Sequence, residues 1–158
     1  GAVVQRCLEL LRASPGVDTL DITGGAPELN DGFRPLVEGA AALRDTARPG
    51  LRIIDRCNLT VLLEPGQEDL LDFLVKHRVH IVASLPSYDA AQTDKQRGRK
   101  VFERSVEALR MLNERGYGHG GGRKSKDGLH LDLVFNPPGP FLPPRQEPLE
   151  EKYRGHLR

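Results

Sequence analysis

Thr19-Leu20-Asp21-Ile22-Thr23-Gly24-Gly25-Ala26-Pro27-Glu28-Leu29 runs from an alternating apolar stretch directly into a paired-glycine turn. Alternation with period two marks a strand, and the glycines mark the turn that ends it. Two glycines at a strand's C-terminal end let the chain take positive φ and let a ligand approach the main chain without meeting a Cβ. The same residues serve equally as a bare βα turn, because a lone Gly-Gly is a weak motif.

Outward from this turn, helix-like and strand-like periods alternate. Val3, Val4, Cys7, Leu8 and Leu11 form an amphipathic run ahead of a strand over 18–23, and Phe33, Leu36, Val37, Ala40 and Ala41 make a helical stripe after it. Strands are predicted over 51–55, 79–85 and 129–135. Between them lie a helix over 67–78, with Leu70, Leu71 and Leu74 inward, and one over 97–115, ended by Gly116. The second carries Val101, Phe102, Val106, Leu109 and Leu112 at helical spacing. Strands separated by helices predict βαβ units, hence an α/β fold with at least four parallel strands and right-handed crossovers. Residues 116–128, glycine-rich with Arg123, Lys124 and Lys126, read as a mobile insertion; a phosphate-binding role is the weaker reading, because no strand leads into them. Pro137, Pro138, Pro140, Pro143, Pro144 and Pro148 make the next stretch extended, with a helix starting over 146–156. The expected division is 1–136 for the α/β unit and 137–158 for a proline-rich crossing into a further region.

Charge and cysteine content narrow the function classes. Lys and Arg number 23 against 22 for Asp and Glu, a net charge of +1, so no global field draws nucleic acid or an anionic membrane. No apolar run reaches the length of a bilayer span. Two cysteines at unrelated positions, with no signal peptide, predict a soluble intracellular protein of the cytoplasm or an organelle stroma. That setting makes the sequon Asn58-Leu59-Thr60 incidental. His77, His80, His119, His130 and His156 show no paired metal spacing, and no Ser/His/Asp arrangement stands out.

Parallel α/β folds bind ligands at the carboxyl ends of their strands. Those ends carry Asp21, Thr23, Gly24 and Gly25; Asp55, Arg56, Cys57 and Asn58; Ser84, Ser87 and Tyr88; and Asn136. One rim is expected to hold them all. The Arg56 fork suits an anion or carboxylate, or an ion pair with Asp55 or Glu64. Cys57 is a soft ligand or a packing residue. Asp94-Lys95-Gln96-Arg97-Gly98 either holds a helix start or lines the cavity.

Seven strings carry a resemblance to a known family. They are Asp21 to Asn30, Ile54-Asp55-Arg56-Cys57-Asn58-Leu59-Thr60, Ala83-Ser84-Leu85-Pro86, Asp94-Lys95-Gln96-Arg97-Gly98, Leu112-Asn113-Glu114-Arg115-Gly116-Tyr117-Gly118, Asn136-Pro137-Pro138-Gly139-Pro140 and Leu142-Pro143-Pro144. In content, order and spacing they resemble arsenosugar biosynthesis radical S-adenosylmethionine (SAM) proteins over nearly the whole chain. The resemblance implies a partial parallel (βα) barrel and an enzyme that reductively cleaves SAM with a [4Fe-4S] cluster and an electron donor. The implied small-molecule substrate is a methylated arsenical that receives a deoxyadenosyl group. It further implies that Gly24, Gly25, Ala26, Pro27 and Glu28 form the turn that receives the methionine amino group, a variant of the family's Gly-Gly-Glu-Pro-like string. Asp55 and Asn58 then line the cofactor site, and Ser84 lies near the ribose. Arg56, Cys57, Ser87 and Asn136 become substrate-cavity candidates, with Ser87 where the family resemblance suggests a cysteine. The family's CxxxCxxC loop has no counterpart here: the thiols are Cys7 and Cys57. With a helix starting almost at residue 1 and no capping residue before it, the expectation is a fragment without metal ligands, inactive alone. The alternative is a non-catalytic α/β binding or scaffold module that has lost its cluster.

Overall fold

The computed structural model describes residues 1–119, 128–137, 139–140 and 142–157. Four strands, β1 (Thr19–Ile22), β2 (Arg52–Asp55), β3 (His80–Ala83) and β4 (Leu131–Leu133), pair in parallel in the order β1-β2-β3-β4. The registers run from Thr19 opposite Arg52 to Ile22 opposite Asp55, then Ile54 opposite His80, then Ile81 opposite Leu131. Every connection therefore steps in the same direction across the sheet. Right-handed crossovers of that kind lay their helices on one face, whereas a doubly wound sheet reverses its order part-way.

Side-chain alternation separates the two faces. Ile53, Asp55, Cys57, Ile81, Ala83 and Leu85 share one parity and are buried. Against that face pack α2 (Phe33–Asp45), which buries Phe33, Val37, Ala40, Ala41 and Leu43, and α3 (Leu70–Lys76), which buries Leu70, Leu71, Phe73 and Leu74. Each fully covered Leu or Val contributes about 1.5–3 kcal/mol over its exposed state. α1 (Ala2–Ala13) docks on α2 where Gly39 makes room, since a Cβ there would lie 2.3 Å from Cδ1 of Leu8. The opposite parity, Thr19, Asp21, Arg52, Arg56 and His80, makes a charged face on which Asp21, Arg52 and Arg56 are exposed. Among the described residues no helix is long and apolar enough to cross a membrane.

Several expectations change in detail. The helix expected over 97–115 starts later, as α5 (Val101–Glu114), because Gly98 takes φ +111° and Lys100 φ +64° ahead of it; a further helix not read from the sequence, α4 (Ala90–Arg97), precedes that break. Asp94 thus lies inside α4 rather than before a helix, and its carboxylate accepts from the backbone N–H groups of Lys100 (2.8 Å) and Phe102 (3.0 Å). It holds the start of α5, one of the two roles read from the sequence. The stretch from 116 opens with an anchor, not a mobile loop: Tyr117 is buried and donates its hydroxyl to the Val79 carbonyl at 2.9 Å. Residues 120–127, with Arg123, Lys124 and Lys126, lie outside the described residues. After the prolines, α6 (Gln146–His156) seats Tyr153 against the core, its hydroxyl donating to the Leu85 carbonyl at 2.8 Å.

Candidate functional site

Glu28, Asp55 and Cys57 meet on the buried face of the sheet, at its carboxyl end. Asp55 is the last residue of β2, and Cys57, two residues on, keeps its parity, so both side chains point toward the helices. Backbone bonds from Cys57 N–H to the Val82 carbonyl and from Ser84 N–H to the Cys57 carbonyl, each 3.1 Å, continue the sheet past β2. That pairing fixes the thiol. Glu28 arrives from a short 3-10 turn, Pro27–Leu29, started by a proline that presets φ. One ligand atom from each of the three lies within 4.8 Å of the others.

The three are sealed: Glu28 is 3% exposed, Asp55 0% and Cys57 0%. None of the four carboxyl oxygens of Glu28 and Asp55 accepts a well-formed hydrogen bond from an N–H or O–H among the described residues; the two carboxyls and the Cys57 thiol face one another instead, close enough for a proton to be shared among them. Burying an ionised carboxylate without partners costs several kcal/mol, so the group takes up a proton instead. Burial first, and the Glu28 charge second, push the Asp55 carboxyl from 3.8 up to about 9. Burial also raises Glu28, against smaller opposing contributions from Cys57 and Asp55. The Cys57 thiol is pushed well above its ordinary value by burial and by the two carboxyls.

The glycine turn lies beside this cluster but faces outward. Gly24 and Gly25 are exposed; a Cβ on Gly25 would meet nothing within 4 Å, and one on Gly24 would come no closer than 3.9 Å to Pro27. Neither has positive φ, so that part of the sequence reading is corrected. The glycines leave the main chain approachable; the turn does not need them for its conformation. A pocket of about 370 Å³ opens here, lined by Thr23, Gly24, Gly25, Ala26 and Pro27 on one side and by Val3, Val4 and Cys7 of α1 on the other. Cys7 belongs to the amphipathic run of α1. Its sequence carries no hint that α1 closes the wall of this pocket.

No protein-family model, curated protein or solved structure matches the chain.

The remaining rim residues divide by partner. Arg56 is exposed and forks onto Asp21, with Nη2 to Oδ2 at 2.8 Å and Nε to Oδ1 at 3.0 Å; Asp55 points to the other face, and Glu64 pairs with Arg104 at 2.8 Å. Neither partner read from sequence is therefore the one observed. That fork holds the Asp21 carboxyl below its ordinary value. On the same face His80 Nε2 lies 3.0 Å from Asp132 Oδ2, and burial lowers the imidazole despite that carboxylate. Asn58 is half-buried, its side-chain oxygen accepting from the Thr60 hydroxyl at 3.1 Å. Ser84, at the end of β3, is half-buried too. Ser87 is buried as a turn residue: its hydroxyl accepts from Asp89 N–H at 3.1 Å, and its carbonyl accepts from Thr93 Oγ1 at 2.9 Å. Asn136 is exposed, held through its N–H to the Pro86 carbonyl at 3.0 Å.

Proposed function

We propose that these residues form the central part of a radical SAM partial barrel of the arsenosugar-biosynthesis type. The observation that carries the reading is the approachable Gly24-Gly25 main chain at the carboxyl end of β1, on the same rim as Asn58 and Ser84. Sequential parallel strand order adds support, because a sheet that steps in one direction is the arrangement a (βα) barrel requires. The residues fit SAM in this respect: the open Cβ positions of Gly24 and Gly25 leave room for the methionine end, and the main chain there supplies polar groups. SAM, when bound, supplies the sulfonium whose reductive cleavage yields the deoxyadenosyl group. Gly24 to Pro27 would orient its amino acid portion, and Asn58 and Ser84 would offer hydrogen bonds along it.

A [4Fe-4S] cluster does not fit the residues present. Cys57 is sealed on the helix side of the sheet and Cys7 lies on α1, and a cluster needs several thiolates at one place. No step is assigned through it. This also favours the second reading, an α/β binding module without redox chemistry.

Two measurements test the proposal. The coding sequence upstream of Gly1 is expected to carry CxxxCxxC, and a reading frame without it removes the radical SAM assignment. In protein that includes such a loop, Gly25→Val is expected to weaken SAM binding by about tenfold or more by calorimetry, because the side chain occupies the space of approach. Unchanged affinity in a folded variant counts against the role given to the turn.

A further inference from the structure

We propose that Glu28, Asp55 and Cys57 form a binding site for one divalent cation of the zinc type. Three buried, acidic side chains here have chiefly one another to bind. Four carboxyl oxygens lie in the core, none accepting a well-formed hydrogen bond from an N–H or O–H among the described residues, and a thiol shares the space with them. Buried polar groups are almost always satisfied, and exceptions call for a ligand, an ion or a proton. A cation of charge two answers the electrostatics of two carboxylates and a thiolate better than any neutral group.

Geometry suits that ion. A zinc-type cation sits about 2.0–2.3 Å from oxygen and sulfur ligands. Ligand atoms already within 4.8 Å of one another need only a small contraction to reach it. Two ligands are carried by rigid backbone, since Asp55 ends β2 and the chain at Cys57 is paired to β3. The third, Glu28, sits in a proline-started turn immediately after Gly24-Gly25. The donor set decides the class of metal: thiolate with carboxylate favours zinc, cobalt or ferrous ions over magnesium and calcium, which take oxygen alone. The fourth position falls to a water or to the second Glu28 oxygen.

This site is sealed in the core, and the Gly24-Gly25 main chain proposed for SAM is exposed, so each can be tested without the other. Their connection is mechanical. Glu28 ties the glycine turn to the end of β2 through the ion, and holds the turn's main chain at a fixed height above the sheet.

The test is cobalt titration of chelator-stripped chain, followed by absorption, with no SAM or iron present. One equivalent is expected to bind and to produce a thiolate-to-cobalt charge-transfer band in the near ultraviolet. Cys57→Ser is expected to abolish the band, while Cys7→Ser keeps it. Glu28→Gln is expected to weaken cobalt binding by more than about tenfold. Zinc is expected to raise the melting temperature of the unsubstituted chain and not that of Cys57→Ser. Circular dichroism of each metal-free protein separates loss of the site from loss of the fold. Cobalt that gives no band in the folded, unsubstituted chain overturns the proposal and leaves a proton-sharing cluster. A band that survives Cys57→Ser but not Cys7→Ser overturns it as well.

Discussion

Raising the pH of the metal-free chain from ~7 to ~9 should destabilise it, and Asp55 should be responsible. Its carboxyl is moved from 3.8 to about 9 by burial and by Glu28, so the folded chain keeps a proton that the unfolded chain has already lost. A raised carboxyl contributes its full stability below the ordinary value and loses it as the pH climbs toward the folded value. Each proton held only by the folded state costs about 1.4 kcal/mol per pH unit. Over this interval, with half the proton gone at the upper end, the loss is about 2 kcal/mol for one carboxyl. His77 and His80 are lowered from 6.5 by burial, so the stability they add on rising pH is nearly complete when the interval starts and opposes the slope by only a few tenths of a kcal/mol. Asp21, lowered by Arg56, acts only below 3.8. Cys57 works in the same direction as Asp55 and begins to add to the loss near the top of the interval, as the unfolded thiol ionises around its ordinary 9.0. Urea unfolding at several pH values in chelator, monitored by circular dichroism, measures the slope. Asp55→Asn should flatten most of it, and adding Glu28→Gln should remove the rest. Stability that is level or rising across the interval, or a slope unchanged in the double variant, would refute the burial argument.

Tyr153→Phe should cost about 1–3 kcal/mol, because it strands the buried Leu85 carbonyl; hydrogen exchange should accelerate in α6 before the sheet, and uniform acceleration would contradict the local anchor. Asp94→Ala should lower the melting temperature by removing the acceptors for two backbone N–H groups at the start of α5, and Asp94→Asn should recover only part of it, because its single amide oxygen replaces one of the two accepting oxygens; an unchanged melting temperature in Asp94→Ala would remove the capping role. After anaerobic treatment with iron, sulfide and dithionite, these 158 residues should hold no stable [4Fe-4S] cluster and release no 5′-deoxyadenosine by chromatography. Detection of deoxyadenosine would show that thiols beyond a CxxxCxxC loop can carry the cluster.

The sequence alone determined the order of the four strands and the sense of the sheet. Apolar runs at 18–23, 51–55, 79–85 and 129–135 separated by helix-length stretches leave parallel pairing as the economical solution, and all four strands formed. The stripes Phe33, Val37, Ala40, Ala41 and Leu70, Leu71, Leu74 were legible for the same reason: burial follows a period fixed by backbone geometry. Element ends were less so, because the break at Gly98 depends on a left-handed turn that Asp94 stabilises from within the preceding helix. Tertiary structure alone decided what meets what. Asp55 and Arg56 are neighbours in sequence, yet strand alternation sends one into the core with Glu28 and Cys57 and the other onto Asp21 at the surface. Glu28 and Asp55 stand far apart in the sequence, and no local period links them. Only the crossover that lays β2 against β1 brings a proline-started turn over the end of the neighbouring strand, and with it two carboxyls and a thiol into one dry space.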